Sequence, residues 1–131
     1  MWMRTILAAL AVVATASLPA RAGDAEDGAK VFRKCLACHA VGEGARNKVG
    51  PELNGIFGRT AGTLPDYSYS RAMSESGIVW TEESFGEYIR NPRKVVPGTA
   101  MAFAGLKKDK DVENVIAYLA QFNADGTLKA E

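Results

Sequence analysis

The amino-acid sequence predicts an all-α fold, with about three main helices, short helical turns and long loops. Three observations carry this. Apolar residues near the C-terminus recur at helical spacing, two further segments open on residues that start helices, and no run of convincing strand length occurs. At 131 residues, 47% of them hydrophobic, the chain has room for one ordinary domain. It contains no repeat, low-complexity tract or interdomain linker.

Residues 1–22 stand apart. Met1–Arg4 carries one positive charge, Thr5–Leu18 is almost wholly apolar, and Ala20-Arg21-Ala22 has the small-x-small pattern of a cleavage site. This is the pattern of a secretory signal peptide, leaving residues 23–131 as a single domain. The competing possibility, a membrane anchor, needs roughly 20 apolar residues, and the run is shorter. Cleavage after Ala22 removes Arg4 and Arg21, so Lys plus Arg falls from 16 to 14 against 15 acidic residues. The mature net charge of −1 argues against nucleic acid as a partner, since no basic excess exists to neutralise phosphates.

The first helix is expected from Asp24, as cap, to about Lys34, with Ala25, Ala29 and Phe32 along one face. Gly28 inside it costs about 1 kcal/mol against alanine; it either admits another backbone at close range or marks a frayed first turn. Val41–Tyr69 is loop-rich, with six glycines and two prolines, and Ser70–Ser76 suits one short helical turn. A helix from about Thr81 carries Glu82 and Glu83 in its first turn, presents Phe85, Tyr88 and Ile89, and is stopped by Asn91-Pro92. The last helix is the clearest: Val112, Val115, Ile116, Leu119 and Phe122 fall on one face, with Asp109 or Asp111 near its start and Asn123–Gly126 at its end.

The chemistry is concentrated in Cys35-Leu36-Ala37-Cys38-His39. This C-x-x-C-H run is the attachment pattern of c-type haem. On a helix, positions i, i+3 and i+4 share a face, so two thiols can add to two vinyl groups while the imidazole reaches the iron from the same side. A thioredoxin-like pair would need a βαβ setting that the downstream sequence lacks. A zinc site would need more ligands than one histidine and two cysteines provide. His39 fills one axial position and is the only histidine. With Met1 and Met3 lost alongside the leader, Met73 and Met101 remain for the other. Met101 follows Pro97-Gly98-Thr99-Ala100 in a loop able to bring it over the far side of a haem, whereas Met73 suits a core gap-filler.

With these residues in view, the chain resembles the short class I c-type cytochromes, of the mitochondrial kind and their bacterial relatives. The likeness runs over nearly all of residues 24–122. It is carried by Cys35–His39, Gly50-Pro51-Glu52-Leu53, Phe57-Gly58-Arg59, Tyr67-Ser68-Tyr69, Gly77-Ile78-Val79-Trp80, Asn91-Pro92-Arg93-Lys94, Pro97–Met101 and Ile116-Ala117-Tyr118-Leu119. The resemblance implies the cytochrome c fold around one haem c, attached through Cys35 and Cys38, with His39 and Met101 as iron ligands. It implies that Pro51 offers its carbonyl to His39 and that Arg59, Tyr69 and Trp80 hydrogen-bond a haem propionate. It further implies that Tyr88 and Thr99 flank Met101, with the Tyr88 hydroxyl on its sulfur, that Phe103 shields the haem, and that Gly28 and Tyr118 mark the crossing of first and last helices. Taken alone, Tyr88 and Phe103 also suit core aromatics, and Arg59 a solvated charge. Two positions depart from the pattern: Met73 stands where many relatives have asparagine, and Ala100 where they often have lysine.

The resemblance implies an electron-transfer protein and not an enzyme. It would be a soluble, exported, monomeric carrier in the periplasm, without a stable membrane anchor, serving a respiratory or related chain. Its partners would be membrane or periplasmic redox complexes: a quinol-oxidising complex as donor, and a terminal oxidase, reductase or photosynthetic reaction centre as acceptor. Lys34, Lys48, Arg93, Lys94, Lys107 and Lys108 would ring the haem edge as a docking face, against the alternative of an evenly solvated surface. The competing functions are a haem peroxidase or ligand-binding sensor with a displaceable methionine, and a haem subunit of a larger dehydrogenase.

Overall fold

A computed structural model describes residues 11–16 and 22–130. Most of the expected signal peptide therefore lies outside the described residues. Five helices follow in order: α1 (Ala25–Phe32), α2 (Arg71–Ser74), α3 (Glu82–Arg90), α4 (Pro92–Val95) and α5 (Asp109–Leu119). Three of them, α1, α3 and α5, have eight or more residues; the others are single turns. Among the described residues the only β pairing is two isolated bridges, Thr60 with Val79 and Phe122 with Leu128. The all-α expectation holds, as do the three main helices.

Local chemistry accounts for the helix starts. Asp24 accepts the Asp27 N–H, and Thr81 and Ser84 form a reciprocal capping box at α3. Asn91 ends α3 by donating its N–H to the Tyr88 carbonyl, then opens α4 by accepting the Lys94 N–H. Pro92 at the first position of α4 has no N–H to satisfy there, so the expected stop is also a start. Helix α1 ends at Phe32, two residues earlier than expected, because the chain tightens into i→i+3 bonds from Arg33 onward. Helix α5 ends at Leu119; Phe122, expected on its face, instead sits buried in the following turn, where it bridges to Leu128.

The core forms where α1 crosses α5, with α3 packed on α5. Phe32, Val112, Val115 and Leu119 are fully buried there, and the Phe32 and Tyr118 rings meet at 5.5 Å between centroids. Gly28 makes the crossing close: a Cβ on it would run into the Asn114 carbonyl and lie 2.7 Å from the Tyr118 Cβ. The close-approach alternative for this glycine is therefore the correct one. Gly23 meets α5 in the same way, against the Glu113 carbonyl, and Asn114 Oδ1 accepts the Asp24 N–H at 2.9 Å.

Candidate functional site

The loops and helices enclose a cavity of about 410 Å³, within the usual range for small-ligand sites. One wall comes from the chain just after α1. The Cys35 carbonyl accepts both the Cys38 N–H (3.0 Å) and the His39 N–H (2.8 Å), so this segment is a helical turn. Leu36 and Ala37 are exposed, while Cys35, Cys38 and His39 are half-buried and line the cavity. The thiols are free, not joined in a disulfide. Burial pushes the Cys35 thiol above its ordinary pKa, with Lys34 opposing.

His39 Nδ1 lies 2.7 Å from the Pro51 carbonyl oxygen. A carbonyl only accepts, so Nδ1 carries the proton and Nε2 keeps its lone pair for a metal. Burial holds the imidazole below its ordinary pKa, against the opposing effect of that hydrogen bond; both state and tautomer suit a ligand. Gly50 is the residue that sequence reasoning left without a role. It is buried, and a Cβ there would fall on the His39 ring, 2.8 Å from Nδ1. The absence of a side chain is what lets the loop press its next carbonyl onto the histidine.

Met101 lines the cavity from the loop after α4. Gly98 turns that loop with φ +89°, a conformation other residues rarely adopt, and the Leu106 N–H fastens its far end to the Ile89 carbonyl. Thr99 Oγ1 accepts the Met101 N–H at 3.3 Å and lies 2.7 Å from the Tyr88 hydroxyl. Among the described residues the Tyr88 hydroxyl is thus paired with that of Thr99. When Thr99 donates in this pair, the Tyr88 proton is left over. Burial raises the Tyr88 pKa above its ordinary value, with Thr99 opposing.

Arg59, Tyr69, Trp80 and Phe103 also line the cavity, as does Met73. An Arg59 guanidinium N–H is donated to the Asn54 carbonyl, and the Tyr69 hydroxyl accepts the Leu64 N–H at 3.3 Å. Trp80 is only 6% exposed. Among the described residues no fully sealed side-chain polar atom lacks a partner, and Trp80 itself lines the cavity. An apolar chamber carrying two thiols, an imidazole, a thioether, a guanidinium and an indole fits a haem and its propionate.

Fold and site together define a protein that holds a c-type haem, and the comparisons agree. The family profile for cytochrome c matches residues 25–123. The chain is similar to cytochrome c2 of Blastochloris viridis, 54% identical over 127 residues, covering 97% of this chain and all of that one. It is similar to cytochrome c-550 of Bradyrhizobium diazoefficiens, 58% identical over 98 residues, covering 75% and 72% respectively. Among solved structures it is similar to cytochrome cH from Methylobacterium extorquens, with TM-score 0.70 and 40% identity, covering 75% of this chain and 98% of that one. The chain belongs to the cytochrome c family. Its cofactor is haem c, carried by Cys35 and Cys38, and it is an electron-transfer protein, not an enzyme.

Proposed function

We propose that His39 Nε2 and the Met101 sulfur would hold the haem iron, and that the exported chain carries single electrons between redox complexes in the periplasm. The observation that carries this reading is that imidazole, thioether and both thiols line one cavity. The bound haem supplies a reversible one-electron couple. The residues around it set the terms of exchange. His39, oriented by Pro51, donates through Nε2. The Met101 thioether raises the potential relative to a second imidazole. Held by both residues, the iron would offer no place to peroxide or oxygen, which favours outer-sphere transfer over peroxidase or sensor chemistry. Arg59, Tyr69 and Trp80 neutralise and hydrogen-bond a propionate whose bare burial would cost several kcal/mol. Phe103 shields the methionine side.

Partner docking is assigned to the basic face. Lys34, Lys48, Arg93, Lys94, Lys107 and Lys108 are all exposed, and Lys34 borders the cavity itself. Such a face on a nearly neutral protein favours fast, weak association with acidic surfaces of quinol-oxidising complexes, oxidases, reductases or reaction centres. Export rests on residues 1–22, with cleavage before Gly23. The close fit of Gly23 against α5 supports a mature domain that includes this residue. No described helix is long and apolar enough to cross a membrane.

The test is expression in cells able to attach haem. Mass spectrometry is expected to give a chain beginning at Gly23 plus one haem, and a redox titration a reversible wave of about 59 mV per decade, the slope of a one-electron couple. A colourless or unprocessed chain, or steady turnover of peroxide, contradicts the proposal.

A further inference from the structure

Two buried polar side chains stand out, Asn54 and Asn114. Asn114 joins the start of α1 to α5. Asn54 lies elsewhere, 3% exposed, with every polar group used. Its Oδ1 accepts the Gly42 N–H at 2.8 Å, and its Nδ2 donates to the Gly42 carbonyl at 2.9 Å. Its own N–H goes to Glu52 Oε2 at 2.7 Å, and its carbonyl accepts from Arg59. The amide thus grips both faces of one residue, which only one orientation of its oxygen and nitrogen permits.

This grip is the last rung of a zipper between two loop segments. The Gly50 N–H bonds the Cys38 carbonyl at 2.8 Å, His39 Nδ1 bonds the Pro51 carbonyl at 2.7 Å, and the Leu53 N–H bonds the Ala40 carbonyl at 3.0 Å. Residues 38, 39, 40 and 42 are thereby paired in order with 50, 51, 53 and 54. The outer side is covered too. A Cβ on Gly126 would strike the Gly42 carbonyl, and one on Gly55 would lie 2.8 Å from the Ala124 backbone, so the turn after Phe122 closes over the clamp. Apart from Asn54 and His39, the other side chain that joins these two stretches is Lys48, whose exposed Nζ donates to the Leu36 carbonyl at 3.1 Å at the opposite end.

We propose that Asn54 is a positioning residue for His39: by clamping Gly42 it fixes the register of the zipper and holds the Pro51 carbonyl on Nδ1 of the imidazole. A ligating histidine tuned by a carbonyl depends on that acceptor staying in place, and here its place is set three residues away. The inference rests on His39 being an iron ligand.

His39 is the only histidine, so ¹⁵N-histidine labelling of the reduced holoprotein yields one imidazole to follow. Asn54→Ala removes both clamp bonds; Asn54→Asp keeps the shape and one acceptor but loses the donor to Gly42, and it decides the matter should the alanine variant not mature. Asn114→Ala serves as comparison, a buried amide lost away from the zipper. In both Asn54 variants the Nδ1–H is expected to exchange at least about tenfold faster, as the loss of one or two buried hydrogen bonds gives. The reduction potential is expected to rise, because an imidazole without its acceptor donates less charge to ferric iron. Asn114→Ala is expected to leave both unchanged. Unchanged exchange and potential in both Asn54 variants, or equal acceleration in Asn114→Ala, would overturn the assignment. A wild-type protein whose imidazole does not bind iron, seen directly in its ¹⁵N shifts, would instead overturn the ligation on which it stands.

Discussion

Two glycines inside helices provide a sharp test, because propensity predicts the same outcome for both and packing does not. Gly28 in α1 and Gly86 in α3 are each expected to gain about 1 kcal/mol on replacement by alanine if helix propensity alone governs. At Gly28 the new Cβ would press on the Asn114 carbonyl and lie 2.7 Å from the Tyr118 Cβ, both part of the rigid α1–α5 crossing. Overpacking of this kind costs about 1–3 kcal/mol, and with neither neighbour able to rotate away the upper half of that range applies. Gly28→Ala is therefore expected to destabilise by about 1–2 kcal/mol net, lowering the Tm by about 5–15 °C. At Gly86 the neighbours are the movable Arg90 guanidinium at 3.2 Å and Val112 and Ile116 side-chain carbons at 3.4 and 3.5 Å, so Gly86→Ala is expected to stabilise by about 0.5 kcal/mol. Guanidinium titration of each holoprotein, followed by circular dichroism at 222 nm, measures both. A Gly28→Ala protein as stable as wild type, or equal losses in the two variants, would refute the claim that backbone approach at the crossing demands the glycine.

Other expectations follow from the same contacts. Burial raises the pKa values of Tyr69, Tyr88 and Tyr118 above 10.0, so the unfolded chain loses these protons first. Their neutral forms contribute fully below that value, and the fold loses stability as pH rises past it. Tyr88→Phe is expected to flatten the alkaline limb of a stability–pH curve while costing about 1 kcal/mol at neutral pH for the lost bond to Thr99; an unaltered alkaline slope contradicts this. Gly50→Ala would put a Cβ on the His39 ring, and a reduced yield of haem-loaded protein with an altered spectrum is expected, whereas normal yield and spectrum count against the packing argument. Thr81→Ala removes one half of the capping box at α3; denaturation is expected to show a loss of about 1 kcal/mol with the visible spectrum unmoved, and a spectral change would show that the cap reaches the site.

What could be read from the sequence was local. Cys35, Cys38 and His39 lie within five residues, so their shared face follows from helix geometry alone. Helices α1, α3 and α5 announce themselves through Asp24, Thr81 and the apolar spacing of Val112–Leu119. Helix α4 escaped because Asn91-Pro92 signals an end, and nothing nearby shows that one asparagine serves two helices. Phe122 continues the spacing of α5 by arithmetic, but tertiary pairing with Leu128 claims it. The roles of Gly50 and Asn54 depend on residues eleven and twelve positions away, and no periodicity encodes which loop residues meet. The partner of the Tyr88 hydroxyl likewise depends on where the Met101 loop lies, which only the folded chain defines.

The central claim is that iron sits between one nitrogen, from His39, and one sulfur, from Met101. The most direct measurement is the near-infrared absorption of the ferric protein, where sulfur-to-iron charge transfer gives a weak band, compared across wild type, Met101→Ala and Met73→Ala. The account predicts the band in wild type and in Met73→Ala, and its loss with a shift toward high-spin iron in Met101→Ala. A band that survives in Met101→Ala, or vanishes in Met73→Ala, would contradict it.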